Sequence, residues 1–243
     1  MKIPMKGSAH FSFGNTIHNT LQEFYEKVQE LNAAKQDSLF GMPVATKAKV
    51  DNGIKVPSEK DLLKMYEGKW IGDWYKNKQQ REKYYENGKE ILKTFYAAQE
   101  GKWTIPVSIE GWFKIKVGEY IVHGRMDRID QREDGTLEII DYKTGTAKEK
   151  LTTDDKQQLL IYYAAADTLP EYKNIGPVGQ LTFYYVNSDT KLSFEGKQKD
   201  VDKLKEKILD TINNIHKGDF TATPNPFTCK YCDFKDICEF RKL

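Results

Sequence analysis

The sequence predicts an α/β fold: a small mixed sheet, antiparallel-led and flanked by helices. Three observations carry that expectation. Apolar residues recur at spacings of three and four over 15–32 and again over 199–217, the pattern of amphipathic helices. Between Thr104 and Lys116, Val107, Ile109, Phe113 and Ile115 sit at even spacings, the period of a half-buried strand. Turn signals at Gly118 and at Glu133-Asp134-Gly135 then join that strand to two more. With 243 residues, 39% of them hydrophobic and 12% aromatic, the chain is long enough to bury a sizeable core.

In order along the chain, Ile17, Leu21, Phe24, Val28 and Leu31 form one face of the first helix, with His18 beside it. Residues 35–56 carry Pro43 and Gly53 and read as a loop or insertion. Ser58 followed by Asp61 reads as a capping box that starts a short helix with Leu62, Leu63 and Tyr66. A longer helix is expected at 78–99, on Tyr85, Ile91, Leu92, Phe95 and Tyr96. After the three strands (104–116, 119–130 and 136–143) comes a helix at 153–167. A strand at 180–187, a short one near Leu192 and Phe194, and the helix at 199–217 follow. The segment 221–243 is rich in proline and cysteine and reads as an irregular tail.

Composition narrows the function classes. No apolar run approaches the roughly 18 residues of a membrane span. No signal-peptide h-region opens the chain, so a cytoplasmic location without membrane association is expected. Net charge is only +2 and mean hydropathy −0.70, which announces no strongly basic nucleic-acid binder, although Arg125, Arg128 and Arg132 cluster. Cys229, Cys232 and Cys238, spaced C-x2-C-x5-C, are a poor disulfide framework and suit zinc or iron–sulfur ligation better.

The residues with chemistry are Gly124-Arg125-Met126-Asp127-Arg128-Ile129-Asp130 and Ile139-Ile140-Asp141-Tyr142-Lys143. On a strand Asp141 and Lys143 share a face. A three-residue loop at 133–135, with Gly135 left-handed, places Asp127 opposite Asp141, whereas a two-residue loop shifts the register by one. Two close carboxylates repel unless a cation lies between them. Mg²⁺ prefers such hard oxygen ligands, and it can polarise a phosphodiester and acidify a bound water. Solvated acids paired with Arg125, Arg128 or Lys143 are the structural alternative. The apolar run up to Asp141 weighs against it, because a charge ending a buried strand is costly. Arg125 shares the face of Asp127, and Arg128, on the other face, reads as an ion pair within the fold.

These residues resemble the RecB-like branch of the PD-(D/E)xK nuclease superfamily. Gly124–Asp130 with Asp141-Tyr142-Lys143 is similar to its catalytic hairpin, and Gln158-Leu159-Leu160-Ile161-Tyr162 to its Q-x-x-x-Y motif. Phe13-Gly14-Asn15-Thr16-Ile17-His18 is similar to its first motif, and the segment from Pro224 through Cys238 to its iron–sulfur cysteines. Met126 stands where the superfamily's name has proline.

The resemblance implies a restriction-endonuclease-like nuclease domain over 1–220, with a helical insertion at about 35–99 and the cysteine tail 221–243 packed on it. It implies that His18, Asp127, Asp141 and the Tyr142 carbonyl hold Mg²⁺ or Mn²⁺, that Lys143 is catalytic, and that Gln158 and Tyr162 line the DNA-side wall. The expected partners are DNA, as single strands or ends, and a helicase, either within a longer parent of the UvrD type or separate. A CRISPR-adaptation nuclease and a non-catalytic DNA-end-binding module are the alternatives. Three cysteines fall one short of a [4Fe–4S] set. The cluster is therefore expected in a longer parent, and here it is expected to be absent, labile or replaced by zinc.

Overall fold

The computed structural model describes residues 7–33, 49–51, 53–218 and 220–242. Helix α1 (Ala9–Asn32) starts six residues before the periodicity does, because Ser8 caps it and accepts from the Phe11 N–H. Where an irregular segment was expected, β1 (Lys49–Asp51) and β2 (Ile54–Val56) pair about Gly53, whose φ of 76° suits the turn. Pro43 lies outside the described residues. The Ser58–Asp61 capping box opens α2 (Glu59–Lys69), and Asn77 caps α3 (Lys78–Gln99).

The sheet follows as β3 (Ser108–Val117), β4 (Tyr120–Gln131) and β5 (Leu137–Lys143). Then come α4 (Thr153–Thr168), α5 (Pro170–Lys173), β6 (Val178–Tyr185), β7 (Thr190–Phe194), α6 (Gln198–Lys217) and α7 (Pro226–Tyr231). Its five strands lie in sequence order. Only β5 and β6 run parallel, because α4 and α5 supply the crossover that a parallel pair requires.

Helices cover both faces of the sheet. On one face Phe113, Ile115, Ile139, Leu181 and Phe183 pack against Leu159 and Ala165 of α4 and Val201 and Leu204 of α6. On the other face Ile140, Tyr142 and Tyr184 pack under α1, α2 and α3, so the 59–99 helices share a core with the sheet. Burying each such side chain contributes about 1.5–3 kcal/mol. Arg128 lies inside this second core, with its Nε 2.6 Å from Asp130 Oδ1 and its guanidinium 3.9 Å from the Tyr25 ring centre. It is the internal ion pair that its strand face implied. Among the described residues no helix is long and apolar enough to cross a membrane. In the tail, α7 and a run of turns replace the irregular chain expected there, and Phe227 and Phe234 are exposed.

Candidate metal centre

Two tight turns bring three acids into one row. In the β4–β5 hairpin, Gly135 (φ 81°) donates its N–H to Arg132 O at 2.9 Å, and Arg132 N donates to Thr136 O at 2.8 Å. That is a three-residue loop with a left-handed glycine. The ladder pairs Arg128 with Ile140, so one step further Asp127 stands opposite Asp141. In the β3–β4 hairpin, Val117 pairs with Tyr120 across Gly118-Glu119. Ile109↔Arg128 and Gly111↔Met126 then bracket Glu110 opposite Asp127. Glu110 has φ 49°, a left-handed conformation uncommon outside glycine and found where a site constrains the backbone.

Helix α1 supplies the imidazole. His18 Nε2 lies 3.0 Å from the Tyr142 carbonyl, and Nδ1 is 3.4 Å from Asp127 Oδ2 and 4.0 Å from Glu110 Oε1. Ligand atoms of His18, Glu110 and Asp127 fall within 4.8 Å of one another. The Tyr142 N–H donates to Asp127 Oδ2 at 2.8 Å and fixes that carboxylate. A cleft of about 380 Å³, lined by Asn15, His18, Glu110, Arg125 and Asp127 among others, opens the group to solvent.

Beside it, Asp141 is nearly inaccessible, with Lys143 Nζ 2.6 Å from its Oδ2. Gln158 Nε2 donates to Asp141 Oδ1 at 2.7 Å and to the Tyr162 hydroxyl at 2.9 Å, while Gln158 Oε1 accepts from Lys143 Nζ at 2.9 Å. Gln158 and Tyr162 meet because they lie four apart on α4, whose start is set by the Thr152–Asp155 capping box.

The electrostatics record an excess of negative charge. Burial and the neighbouring Asp127 raise the Asp141 carboxyl to about 6, against the pull of Lys143. Burial and Asp127 also raise Glu110, although Arg125 and His18 oppose the shift. Burial disfavours a charged His18, yet the hydrogen bond and charge of Asp127, with Asp141 and Glu110, lift its pKa above the ordinary value. The upward shifts share one source, carboxylates crowded together where there is little water. One imidazole nitrogen and several carboxylate oxygens are a donor set that fits a divalent ion such as Mn²⁺ or Mg²⁺.

The structure thus brings His18, Asp127, Asp141, Lys143, Gln158 and Tyr162 together. The Tyr142 carbonyl oxygen and His18 Nε2, both expected among the ligands, lie 3.0 Å apart. Gln158 braces Asp141 and Lys143 and is itself held by the hydroxyl of Tyr162, which is buried against Phe113. Glu110 was not anticipated. Its signal was the Gly118-Glu119 turn, which sets it across from Asp127. Arg125, on the Asp127 side as expected, pairs with Glu110 at 2.8 Å. In the tail Cys229, Cys232 and Cys238 are free thiols, Cys229 buried. Among the described residues they do not gather into a group of three that could hold a metal ion; the group that does is His18, Glu110 and Asp127.

Known proteins resemble the chain to different extents. No curated protein sequence matches it. Among solved structures, the chain is similar to one titled "Crystal structure of SSO0001", with 18% identity over 68% of this chain and 81% of that one, at a TM-score of 0.38. The family described as the PD-(D/E)XK nuclease superfamily matches residues 2–239, and the five-stranded mixed sheet flanked by helices is consistent with its restriction-endonuclease-like fold. The chain belongs to the PD-(D/E)XK nuclease superfamily.

Proposed function

We propose that the protein is a divalent-metal-dependent DNA nuclease that hydrolyses phosphodiester bonds in DNA end processing, as the nuclease partner of a helicase. The observation that carries the chemistry is the row Glu110–Asp127–Asp141 with His18 on one side and the Asp141–Lys143–Gln158 network on the other. The DNA and helicase context is supported by the order of motifs that resemble the RecB-like branch.

In this reading His18, Glu110, Asp127 and Asp141 hold the ion. When bound, it polarises the phosphodiester and lowers the pKa of a coordinated water. The residues of the chain do the rest. His18 is fixed by its contact to the Tyr142 carbonyl, which leaves Nδ1 turned to the carboxylates. Lys143 offers a compact positive charge at the mouth of the row, where it can balance the charge that builds on the phosphoryl oxygens. Gln158 keeps that ammonium and the Asp141 carboxylate in one geometry and spends its other contact on Tyr162. The test is to incubate end-labelled single- and double-stranded DNA with Mg²⁺ or Mn²⁺, with and without EDTA. Cleavage that EDTA stops is expected. Intact DNA of both kinds in both metals overturns the reading.

A further inference from the structure

The outer half of the β3–β4 hairpin leaves one face uncovered. Phe113, Ile115 and Val117 turn into the core beneath α4 and α6, so the alternate residues turn out. They form three cross-strand pairs: Trp112 with Arg125, Lys114 with His123, and Lys116 with Ile121. All six are exposed, Trp112 at 66% and Ile121 at 62%. No acid stands in these pairs. Among the described residues Lys114 and Lys116 have no carboxylate within salt-bridge distance, and the carboxylate at the inner end of the face, Glu110, is paired with Arg125. An exposed sheet face carrying tryptophan beside unpaired cations is an unusual use of residues, since large rings are ordinarily turned inward.

The face also leads somewhere. Arg125 lines the cleft of the candidate metal centre and pairs with Glu110, and its guanidinium lies 5.7 Å from the Trp112 ring centre. Trp112 in turn stacks on His123, with ring centres 6.4 Å apart and planes 22° from parallel. Successive pairs on one face of a strand lie about 6.6 Å apart, so the surface runs about 13 Å outward from Trp112 to Lys116. Positive charge spaced along a track, with a flat ring beside it, is the chemistry that holds a single strand: phosphates on the cations, a base on the ring.

We propose that this ribbon face is a binding track for single-stranded DNA that enters or leaves the metal centre, with Trp112 stacking a base and Lys114 and Lys116 contacting phosphates. The inference rests on the nuclease reading for its choice of ligand. It is tested separately from catalysis.

Labelled oligothymidylate is titrated into Asp141→Ala protein, which keeps the strand intact, and the same ribbon substitutions are assayed in the otherwise wild-type chain on bis(p-nitrophenyl) phosphate, a diester too small to reach the ribbon. Lys114→Gln with Lys116→Gln is expected to reduce the salt slope of binding by about 1.4, at roughly 0.7 for each phosphate that is no longer neutralised. Trp112→Ala is expected to weaken binding about 10-fold and Trp112→Phe much less, because the ring and not the bulk does the stacking. All three proteins should hydrolyse the small diester at the parental rate. Unchanged affinity and salt slope overturn the track. An equal loss on blunt duplex DNA from Trp112→Ala overturns its assignment to single strands. If the small diester is not hydrolysed even by the parent while the ribbon variants still lose the strand, the nuclease reading fails and the track stands.

Discussion

Glu110 and Asp127 stand opposite each other on neighbouring strands, and the Nδ1 atom of His18 faces both carboxylates. Nothing in the described residues cancels that charge in full: Arg125 pairs with Glu110, while Asp127 has only a peptide N–H and the imidazole. The pair, with His18, is a group that could hold a cation.

Glu110→Gln is expected to lower Mn²⁺ affinity at least about 10-fold, since loss of even an outer-shell partner costs about 10- to 100-fold. It should leave the fold in place, since Glu110 lines a cleft and belongs to neither hydrophobic core. Calorimetric titration with Mn²⁺ checks it, and unchanged affinity removes Glu110 from the site.

Lys143→Ala should separate binding from chemistry. The ammonium touches Asp141 and Gln158 but is not a ligand, so Mn²⁺ affinity should change little while single-turnover cleavage falls about 10²- to 10³-fold. Gln158→Ala, which removes only the brace, should cost less than Lys143→Ala in the same assay. Equal losses from the two would mean that Gln158 does more than hold Lys143 and Asp141.

Protons and metal should compete. The Asp141 carboxyl titrates near about 6, and Glu110 and His18 are also shifted upward, so Mn²⁺ affinity should fall as pH drops through 6 and binding should release protons. The sign for stability is the opposite. A folded-state pKa above the ordinary 3.8 means that Asp141 favours the metal-free fold at low pH and that this contribution is lost as pH rises through about 6. Titrations in two buffers of different ionisation enthalpy measure the released protons; pH-independent Mn²⁺ affinity between 5 and 7 would contradict the shifts.

Asp130→Ala should unfold the protein more readily than any change in the cleft. It leaves the Arg128 guanidinium buried, with the Tyr142 and Thr104 hydroxyls but no carboxylate. Breaking such a pair costs about 3–5 kcal/mol, measurable by urea denaturation.

The sequence exposed what local rules govern. The Ser58–Asp61 capping box marked a helix start, and the left-handed preference of glycine placed Gly135 and with it the Asp127–Asp141 register. Period-2 alternation separated Arg125 from Arg128. What it hid depends on tertiary packing. The β1–β2 hairpin is too short for a periodic signal, and α1 gains its first turn from the Ser8 cap rather than from apolar spacing. Glu110 departs from ordinary strand backbone, so the alternation around it changes face and conceals which side its carboxylate takes. Gln158 showed its helix face but not its partners, because Asp141 and Lys143 reach it across the sheet–helix interface.

The dependence of cleavage on the metal centre is measured as the single-turnover rate on a 5′-labelled single strand in Mn²⁺, for the wild type and for Asp141→Ala. Cleavage by the wild type that EDTA abolishes is expected, and none above background from a folded Asp141→Ala protein. Wild-type rates from Asp141→Ala, or cleavage that survives EDTA, would contradict that dependence.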